Sequence, residues 1–294
     1  MDIATELVQL PDGRQVEICI AGPADGVPLV FHHGTPGGGR IYEPFAQEAA
    51  ARGLRMVTYS RPGYGSSTRH AGRDVAACAS DTAAILDHLG ADRAYTAGAS
   101  GGGPHTLACA ALLPERIVAC ASIAGVGQFG AEDLDFLNGM ALENHDEFGA
   151  ALAGDDDLRA FLEHAAEIFS SVSAEDVATS LGGLVSDVDK AAITGGFAAF
   201  LVDSFHHAME NGIWGWFDDD MAFTRQWGFD LSSIEVPVTV WQGAQDRMVP
   251  FSHGKWLVAH IPGARAELRP EHGHLSLGVA NFGRIVDGLM TDAA

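Results

Sequence analysis

The feature that most constrains the fold is a series of short apolar segments that lack the alternation of a half-exposed strand. They lie at residues 29–33, 55–60, 93–99, 117–124, 238–242 and 264–268. Segments of this kind are typical of parallel strands, which are buried on both faces. Helical segments lie between them at residues 41–52, 74–89 and 103–113. The sequence therefore predicts an α/β fold, a mostly parallel central sheet flanked by helices.

Two departures from this pattern predict the domain organisation. The Asp-Gly pair at residues 12–13 separates two strand-like segments and predicts an antiparallel hairpin at the N-terminus. Residues 130–229 contain helical stretches and no strand signal, which predicts a helical insertion, or cap, after the sixth strand. The expected organisation is a core formed by residues 1–129 and 230–294, interrupted by a cap at 130–229.

The C-terminal part of the predicted cap is rich in large rings. We favour packing of the cap against the core as their role over a dedicated substrate cage, although one ring can serve both. The rings belong to Trp214, Trp216, Phe217, Phe223, Trp227 and Phe229.

Charge narrows the partners that the chain can have. With 39 acidic and 17 basic side chains, the formal net charge of −22 repels nucleic acid and anionic membranes. We therefore expect a small-molecule substrate, with no nucleic-acid or membrane partner. Two runs of three aspartates, at 155–157 and 218–220, are interpreted as solvated surface, since neither has the spaced ligands of a calcium loop.

The four cysteines, Cys19, Cys78, Cys109 and Cys120, stand singly in apolar stretches and predict buried free thiols with no metal site. The N-terminus lacks the basic start and apolar run of a signal peptide, and no segment has about 20 uninterrupted apolar residues. These features predict a cytoplasmic protein.

A candidate nucleophile lies at Ser100, within the sequence Gly-Ala-Ser-Gly-Gly at residues 98–102. A serine between a strand and a helix is forced into a strained backbone conformation, which small neighbours make possible. Here the predicted strand ends at Ala99, and Pro104 suits the first turn of the following helix. A phosphate-binding loop is the alternative, but the sequence has no Gly-Lys-Ser/Thr motif there. The pattern favours a nucleophile elbow.

A serine nucleophile needs a histidine to accept its proton and a carboxylate to orient that histidine. Asp246 and His274 each follow a predicted strand, so they are expected at the same carboxyl edge of the sheet as Ser100. The order Ser, Asp, His is typical of an elbow serine. His272 lies in the same loop and is the alternative base, but we favour His274 because it follows Gly273 and precedes the last helix.

An oxyanion intermediate needs two fixed N–H donors. Gly101, directly after the nucleophile, supplies the first. The glycine-rich loop at residues 33–39 supplies the second, and Thr35 is its predicted donor because Pro36 has no N–H.

With its His-Gly-Thr-Pro loop at residues 33–36, Ser100, Asp246 and His274, the chain resembles the α/β-hydrolase superfamily over nearly its whole length. The similarity is to capped members, which include esterases, proline iminopeptidases, haloperoxidase-like enzymes and epoxide hydrolases. Residues 59–67 resemble the turn after the fourth strand in that superfamily, although Ser60 stands where aspartate is common. The resemblance implies a helical cap that shapes the substrate pocket. Serine at position 100 argues against the epoxide hydrolase branch, whose nucleophile is aspartate.

These observations predict a serine hydrolase that cleaves a small carboxylic ester without a metal or organic cofactor. One alternative is a proline-iminopeptidase-like amidase, whose cap would need an acidic anchor such as Glu143, Asp203 or Glu210. A second is a binding protein that keeps the fold and senses a ligand. The sequence names neither the substrate nor the oligomeric state.

Overall fold

The computed structural model describes residues 1–292, which form an eight-stranded sheet with helices on both faces. Every predicted strand is present, with ends within two residues of those expected. The strands are β1 (Ile3–Gln9), β2 (Gln15–Ala21), β3 (Val27–His32), β4 (Leu54–Tyr59), β5 (Ala94–Ala99), β6 (Ile117–Ile123), β7 (Val238–Gly243) and β8 (Arg265–Arg269).

The strand order is β1-β2-β4-β3-β5-β6-β7-β8. β1 and β2 form the predicted antiparallel hairpin, and β2 also runs antiparallel to β4. All the pairings from β4 through β3, β5, β6 and β7 to β8 are parallel. The carboxyl ends of β3, β5, β6, β7 and β8 therefore meet at one edge, and every residue of β7 is buried, as expected for a parallel strand inside the sheet.

The helices of the core cover the two faces of the sheet. α1 and α11 pack on one face, where Phe45 and Phe282 stack with ring centroids 3.9 Å apart. α2, α3 and α10 pack on the other. The core helices are α1 (Glu43–Ala50), α2 (Cys78–His88), α3 (Gly102–Leu112), α10 (Phe251–His260) and α11 (His274–Asp292).

Between β6 and β7, residues 124–237 hold six α-helices, two short 3-10 turns and no strand. We call this segment the helical insertion; the narrower cap boundaries at 130 and 229 stay a prediction. Its helices are α4 (Leu142–Ala153), α5 (Asp155–Phe169), α6 (Val177–Ser180), α7 (Asp187–Ala192), α8 (Gly195–Met209) and α9 (Trp214–Phe223).

Charged side chains of two of these helices have identifiable roles. The aspartates at 155–157 open α5, where negative charge is stabilised by the helix dipole, and they are exposed as predicted. α8 carries His207, whose Nε2 lies 2.5 Å from Oε2 of Glu17 on β2. Both side chains are buried, so this contact joins the insertion to the body.

Within residues 1–292, no helix has the length and apolarity to span a bilayer.

Candidate active site

Ser100 lies on a tight turn between β5 and α3 and has a φ of +55°, a left-handed conformation that is strained for a residue with a side chain. The surrounding glycines allow this turn. A Cβ on Gly98 would collide with the carbonyl of Gly102, and a Cβ on Gly102 would collide with the carbonyl of His32. The turn therefore has the geometry that the Gly-Ala-Ser-Gly-Gly sequence predicts.

Asp246 and His274 meet in the loops after β7 and β8. His274 Nδ1 lies 2.8 Å from Oδ2 of Asp246, and both side chains are buried. The other carboxylate oxygen of Asp246 accepts the backbone N–H groups of Met248 at 2.9 Å and Val249 at 2.8 Å. These bonds fix the carboxylate. Because Asp246 occupies Nδ1 of His274, Nε2 is the nitrogen available for proton transfer.

The alternative histidine has different neighbours. Nε2 of His272 lies 3.1 Å from the side-chain amide of Asn281 and 3.8 Å from Glu271. It does not line the cavity that Ser100 and His274 share. The structure thus separates two histidines that lie two residues apart in sequence.

Electrostatics favour the protonated form of His274. Burial disfavours the imidazolium, but the charge and hydrogen bond of Asp246, with a further contribution from the charge of Asp189, raise the pKa of His274 above its ordinary value of 6.5. In residues 1–292 the Ser100 hydroxyl has no hydrogen-bond partner. Such contacts often tighten only when substrate binds.

Thr35 and Gly101, the predicted oxyanion donors, lie against each other: a Cβ on Gly101 would collide with the Thr35 hydroxyl. Both line the same cavity as Ser100. Across the described chain, neither backbone N–H donates to another protein group. Two unused donors beside the candidate nucleophile can receive a developing oxyanion.

The loop that carries Thr35 is held by a buried charged cluster that the sequence did not reveal. The Thr35 hydroxyl donates to Asp219 at 2.6 Å. Asp219 also pairs with Arg61 and with Arg73, each at 2.6 Å, and accepts from the Tyr64 hydroxyl at 2.9 Å. Burial opposes ionisation of Asp219, but the charges of Arg61 and Arg73 hold its pKa well below its usual range.

The interpretation of residues 218–220 as solvated surface is wrong, because all three aspartates are buried. They lie on α9, which packs against the turn after β4. Asp218 pairs with Arg69 at 2.8 Å, and Asp219 belongs to the cluster above. Asp220 instead faces the cavity beside Glu147. An arginine at 61 directly after an apolar strand is the one sequence signal that could have indicated a buried partner.

A cavity of about 420 Å³ lies between the sheet edge and the insertion, a size typical of small-molecule sites. Ser100, Gly101, Thr35 and His274 lie in its wall. The wall is mainly apolar and contains many aromatic rings, and two of the rings singled out from the sequence, Trp216 and Phe223, are among them. The aromatic residues of the wall are Phe31, Tyr42, Phe45, Phe148, Phe161, Phe169, Phe197, Phe200, Phe205, Trp216 and Phe223.

The cavity wall also contains a pair of carboxyl groups. Trp216 Nε1 donates to Glu147 at 2.5 Å, and Oδ2 of Asp220 is buried without a hydrogen-bond partner among residues 1–292. Burial raises the pKa of Glu147 to about 7. Burial, together with the charges of Glu147 and Asp219, raises the pKa of Asp220 well above its usual range. At neutral pH this pair retains a proton.

The four cysteines are buried free thiols, as predicted. A ligand atom of each of His32, Cys78 and Cys109 lies within 4.8 Å of the others. These atoms have neighbouring protein partners: Nε2 of His32 lies 3.2 Å from the Thr96 hydroxyl, and the Cys78 thiol donates to the carbonyl of His105 at 3.3 Å. None of the three lines the cavity.

Comparison with known proteins gives the same fold. A family model described as the alpha/beta hydrolase fold matches residues 27–280. The chain is 27% identical to a non-heme chloroperoxidase of Streptomyces lividans, over 83% of each chain. It is 26% identical to a bifunctional esterase/perhydrolase of Acinetobacter calcoaceticus, over 83% of each chain. The bromoperoxidase structure from Bacillus anthracis superposes with a TM-score of 0.71 at 20% identity, covering 98% of this chain and 99% of the other.

Proposed function

Since the chain belongs to the α/β-hydrolase family, we propose that it hydrolyses a small carboxylic ester through an acyl-serine intermediate. The observation that carries this proposal is one arrangement at one cavity: a strained serine, and a histidine whose Nδ1 is held by a buried aspartate at 2.8 Å. The esterase among the relatives adds support for an ester substrate.

In the first half of the reaction, Ser100 Oγ attacks the ester carbonyl carbon while His274 Nε2 accepts the hydroxyl proton. The carbonyl electrons move to the oxygen, and the N–H groups of Thr35 and Gly101 stabilise this oxyanion. When the tetrahedral intermediate collapses, the bond to the alcohol oxygen breaks. His274 returns the proton to that oxygen, so the alcohol leaves neutral and Ser100 carries the acyl group.

The second half repeats these steps with water. His274 takes a proton from a water molecule, the hydroxide attacks the acyl carbon, and the same N–H groups stabilise the second oxyanion. The bond to Ser100 Oγ breaks, and the proton on His274 returns to the serine. Asp246 stays ionised and holds the imidazole in one tautomer throughout.

The aromatic wall supports an acyl or alcohol group that is apolar. Rings such as Phe169, Phe200 and Phe205 offer a large apolar surface with little conformational freedom to lose. A panel of p-nitrophenyl esters of increasing acyl length identifies the preferred chain. A fluorophosphonate probe tests the proposal directly, because it labels Ser100 only if the hydroxyl is activated; an unlabelled Ser100 in the folded protein contradicts it.

The pH dependence of activity follows from the pKa of His274. Only the neutral imidazole accepts a proton, so kcat/KM is expected to rise with pH through the raised pKa of this group, with a midpoint above 6.5. The profile is measured between pH 5 and 9 with a p-nitrophenyl ester, and circular dichroism at each pH verifies folding. A flat profile, or a midpoint at or below pH 6.5, contradicts the assignment of His274, with its raised pKa, as the base.

A second candidate is hydrolysis of an aminoacyl amide, and the Glu147–Asp220 pair is the observation that favours it. Glu147 and Asp220 lie beside each other in the cavity wall and are suited to bind the ammonium group of such a substrate. Glu147 and Asp220 are not the acidic anchors that the sequence suggested, which were Glu143, Asp203 and Glu210. Asp203 is exposed beside Arg40, and Glu210 pairs with His207, whereas Glu143 lines the cavity but accepts a backbone N–H from Gly183.

Comparison of two substrates separates these functions. We expect kcat/KM for a short p-nitrophenyl ester to exceed that for prolyl p-nitroanilide by at least about tenfold, a difference of roughly 1.4 kcal/mol in transition-state free energy. With the ester, Asp220→Asn is expected to change kcat/KM by less than about threefold. The second function is favoured instead if the protein prefers the prolyl amide and if Asp220→Asn removes that preference. Ser80→Ala, on the exposed side of α2, is the control and should keep it.

A further inference from the structure

Asp189, on α7 of the helical insertion, contacts the element that carries His274. Its carboxylate accepts the backbone N–H groups of His274 at 3.0 Å, Leu275 at 2.9 Å and Ser276 at 2.9 Å. These are the first three residues of α11, whose N–H groups have no partner within the helix. One fully buried side chain thus completes the hydrogen bonding at the start of this helix.

The surroundings of Asp189 are shaped to this contact. A Cβ on Gly273 would collide with Oδ2 of Asp189 and approach the Ser186 hydroxyl at 2.5 Å, so the absence of a side chain at 273 lets the carboxylate reach the helix. Ser186 also donates to Oδ2 of Asp189 at 2.9 Å. Burial opposes ionisation of Asp189, but these donors and the charge of His274 lower its pKa, so the group is a carboxylate at neutral pH.

We infer that Asp189, supplied by the insertion, is a positioning residue for His274: it fixes the backbone of the base and stabilises the imidazolium that forms during each acyl-transfer step. The inference rests on the role of His274 proposed above. Asp246 holds the ring through Nδ1, and Asp189 holds the main chain from the other side. Two carboxylates from different parts of the fold therefore restrain one histidine.

Two carboxylates raise the pKa of His274, and their contributions can be separated. The charged groups that raise the pKa of His274 are Asp246, from the loop after β7, which contacts the ring, and Asp189, from α7, which contacts the main chain. Both favour the imidazolium, and burial opposes it. Removal of the Asp189 charge leaves Asp246 as the remaining carboxylate, so it lowers the pKa of His274 without removing the contact that orients the ring.

The test compares three substitutions. Asp189→Asn removes the charge but keeps one acceptor oxygen, whereas Asp189→Ala removes both. Asp187→Asn is the matched control, because Asp187 lies on the same helix and is exposed. With a p-nitrophenyl ester, we expect Asp189→Ala to lower kcat by about 10- to 100-fold with KM changed by less than about threefold, as for a displaced catalytic group.

Asp189→Asn is expected to lose less activity and to move the acidic limb of the pH profile to lower pH. Asp187→Asn should match the unaltered protein in both readouts. Should Asp189→Ala fail to fold, Ser186→Ala provides the same comparison: it frees one carboxylate oxygen, and a loss of a few-fold in kcat is expected.

The pKa of His274 is also measured by NMR of the imidazole in Asp189→Asn and in the unaltered protein, which requires no turnover. A lower pKa in the variant supports the inference even if the ester substrate proves wrong. The inference is overturned if Asp189→Asn and Asp187→Asn have the same imidazole titration, the same kcat and the same pH profile. In that case fluorophosphonate labelling of Ser100 would still support the proposed function.

Discussion

Replacing Ser100 by alanine is expected to lower kcat for a p-nitrophenyl ester by at least about 10³-fold, because the variant cannot form the acyl intermediate. The remaining rate would come from the proposed oxyanion donors, Thr35 and Gly101, and from substrate binding. Alanine accepts the backbone conformation at φ +55° no worse than serine, so the fold should persist. Stopped-flow and steady-state assays measure the loss of kcat. Mass spectrometry after incubation with the ester shows whether the acyl adduct is absent from the variant.

The matched control is Ser80→Ala, which removes an exposed hydroxyl on α2. This variant should retain the activity of the unaltered protein within about twofold. A Ser100→Ala protein that is folded and still turns over the ester at an unaltered rate would exclude Ser100 as the nucleophile.

Substitution of Asp219 by alanine has the largest expected effect on stability, a loss of about 3–5 kcal/mol in the free energy of unfolding. Arg61 and Arg73 are buried, and removal of their shared carboxylate leaves two positive charges without a partner at 2.6 Å. The Thr35 hydroxyl loses its acceptor at the same time. We therefore expect a lower kcat in the folded fraction as well, since the loop that carries Thr35, a proposed oxyanion donor, loses its support. Chemical denaturation and ester assays below the transition measure the two effects.

Asp218→Ala is the control, because it lies next to Asp219 on α9 but pairs with a single arginine, Arg69, whose side chain is 33% exposed. The free arginine can reach water, so the expected loss is smaller, about 1 kcal/mol. Equal losses in the two variants would show that Asp219 has no special role beyond that of any buried carboxylate in this helix.

The core sheet could be predicted because its information is local. A segment such as 238–242 is shielded from water on both faces of the sheet, and its mostly apolar composition alone indicates a buried parallel strand. The elbow at Ser100 could also be recognised locally, because Gly98 is required by its contact with the carbonyl of Gly102, although Gly102 itself is required by the distant carbonyl of His32. The meeting of Asp246 with His274 followed from the rule that parallel strands end at the same edge.

The buried aspartates of α9 could not be predicted in the same way. A run of like charges is usually solvated, and what buries Asp219 is the approach of Arg61 and Arg73 from a distant part of the chain. The contact of Asp189 with α11 was hidden for the same reason. Glu143, Asp203 and Glu210 were considered as substrate anchors only for the amidase alternative, and the sequence did not distinguish acidic side chains that contact arginine, a backbone N–H or the cavity.

Three buried charged contacts join the insertion to the body: Asp219 with Arg61 and Arg73, Glu17 with His207, and Asp189 with the start of α11. Lifting the insertion at every turnover would leave each of these groups unpaired, at several kcal/mol apiece. Asp146, His164 and Ile168, on α4 and α5, line the cavity and are exposed, so the cavity meets solvent there. If the insertion stays closed during the proposed reaction, products must leave through this opening, and we expect their release to slow as they become wider.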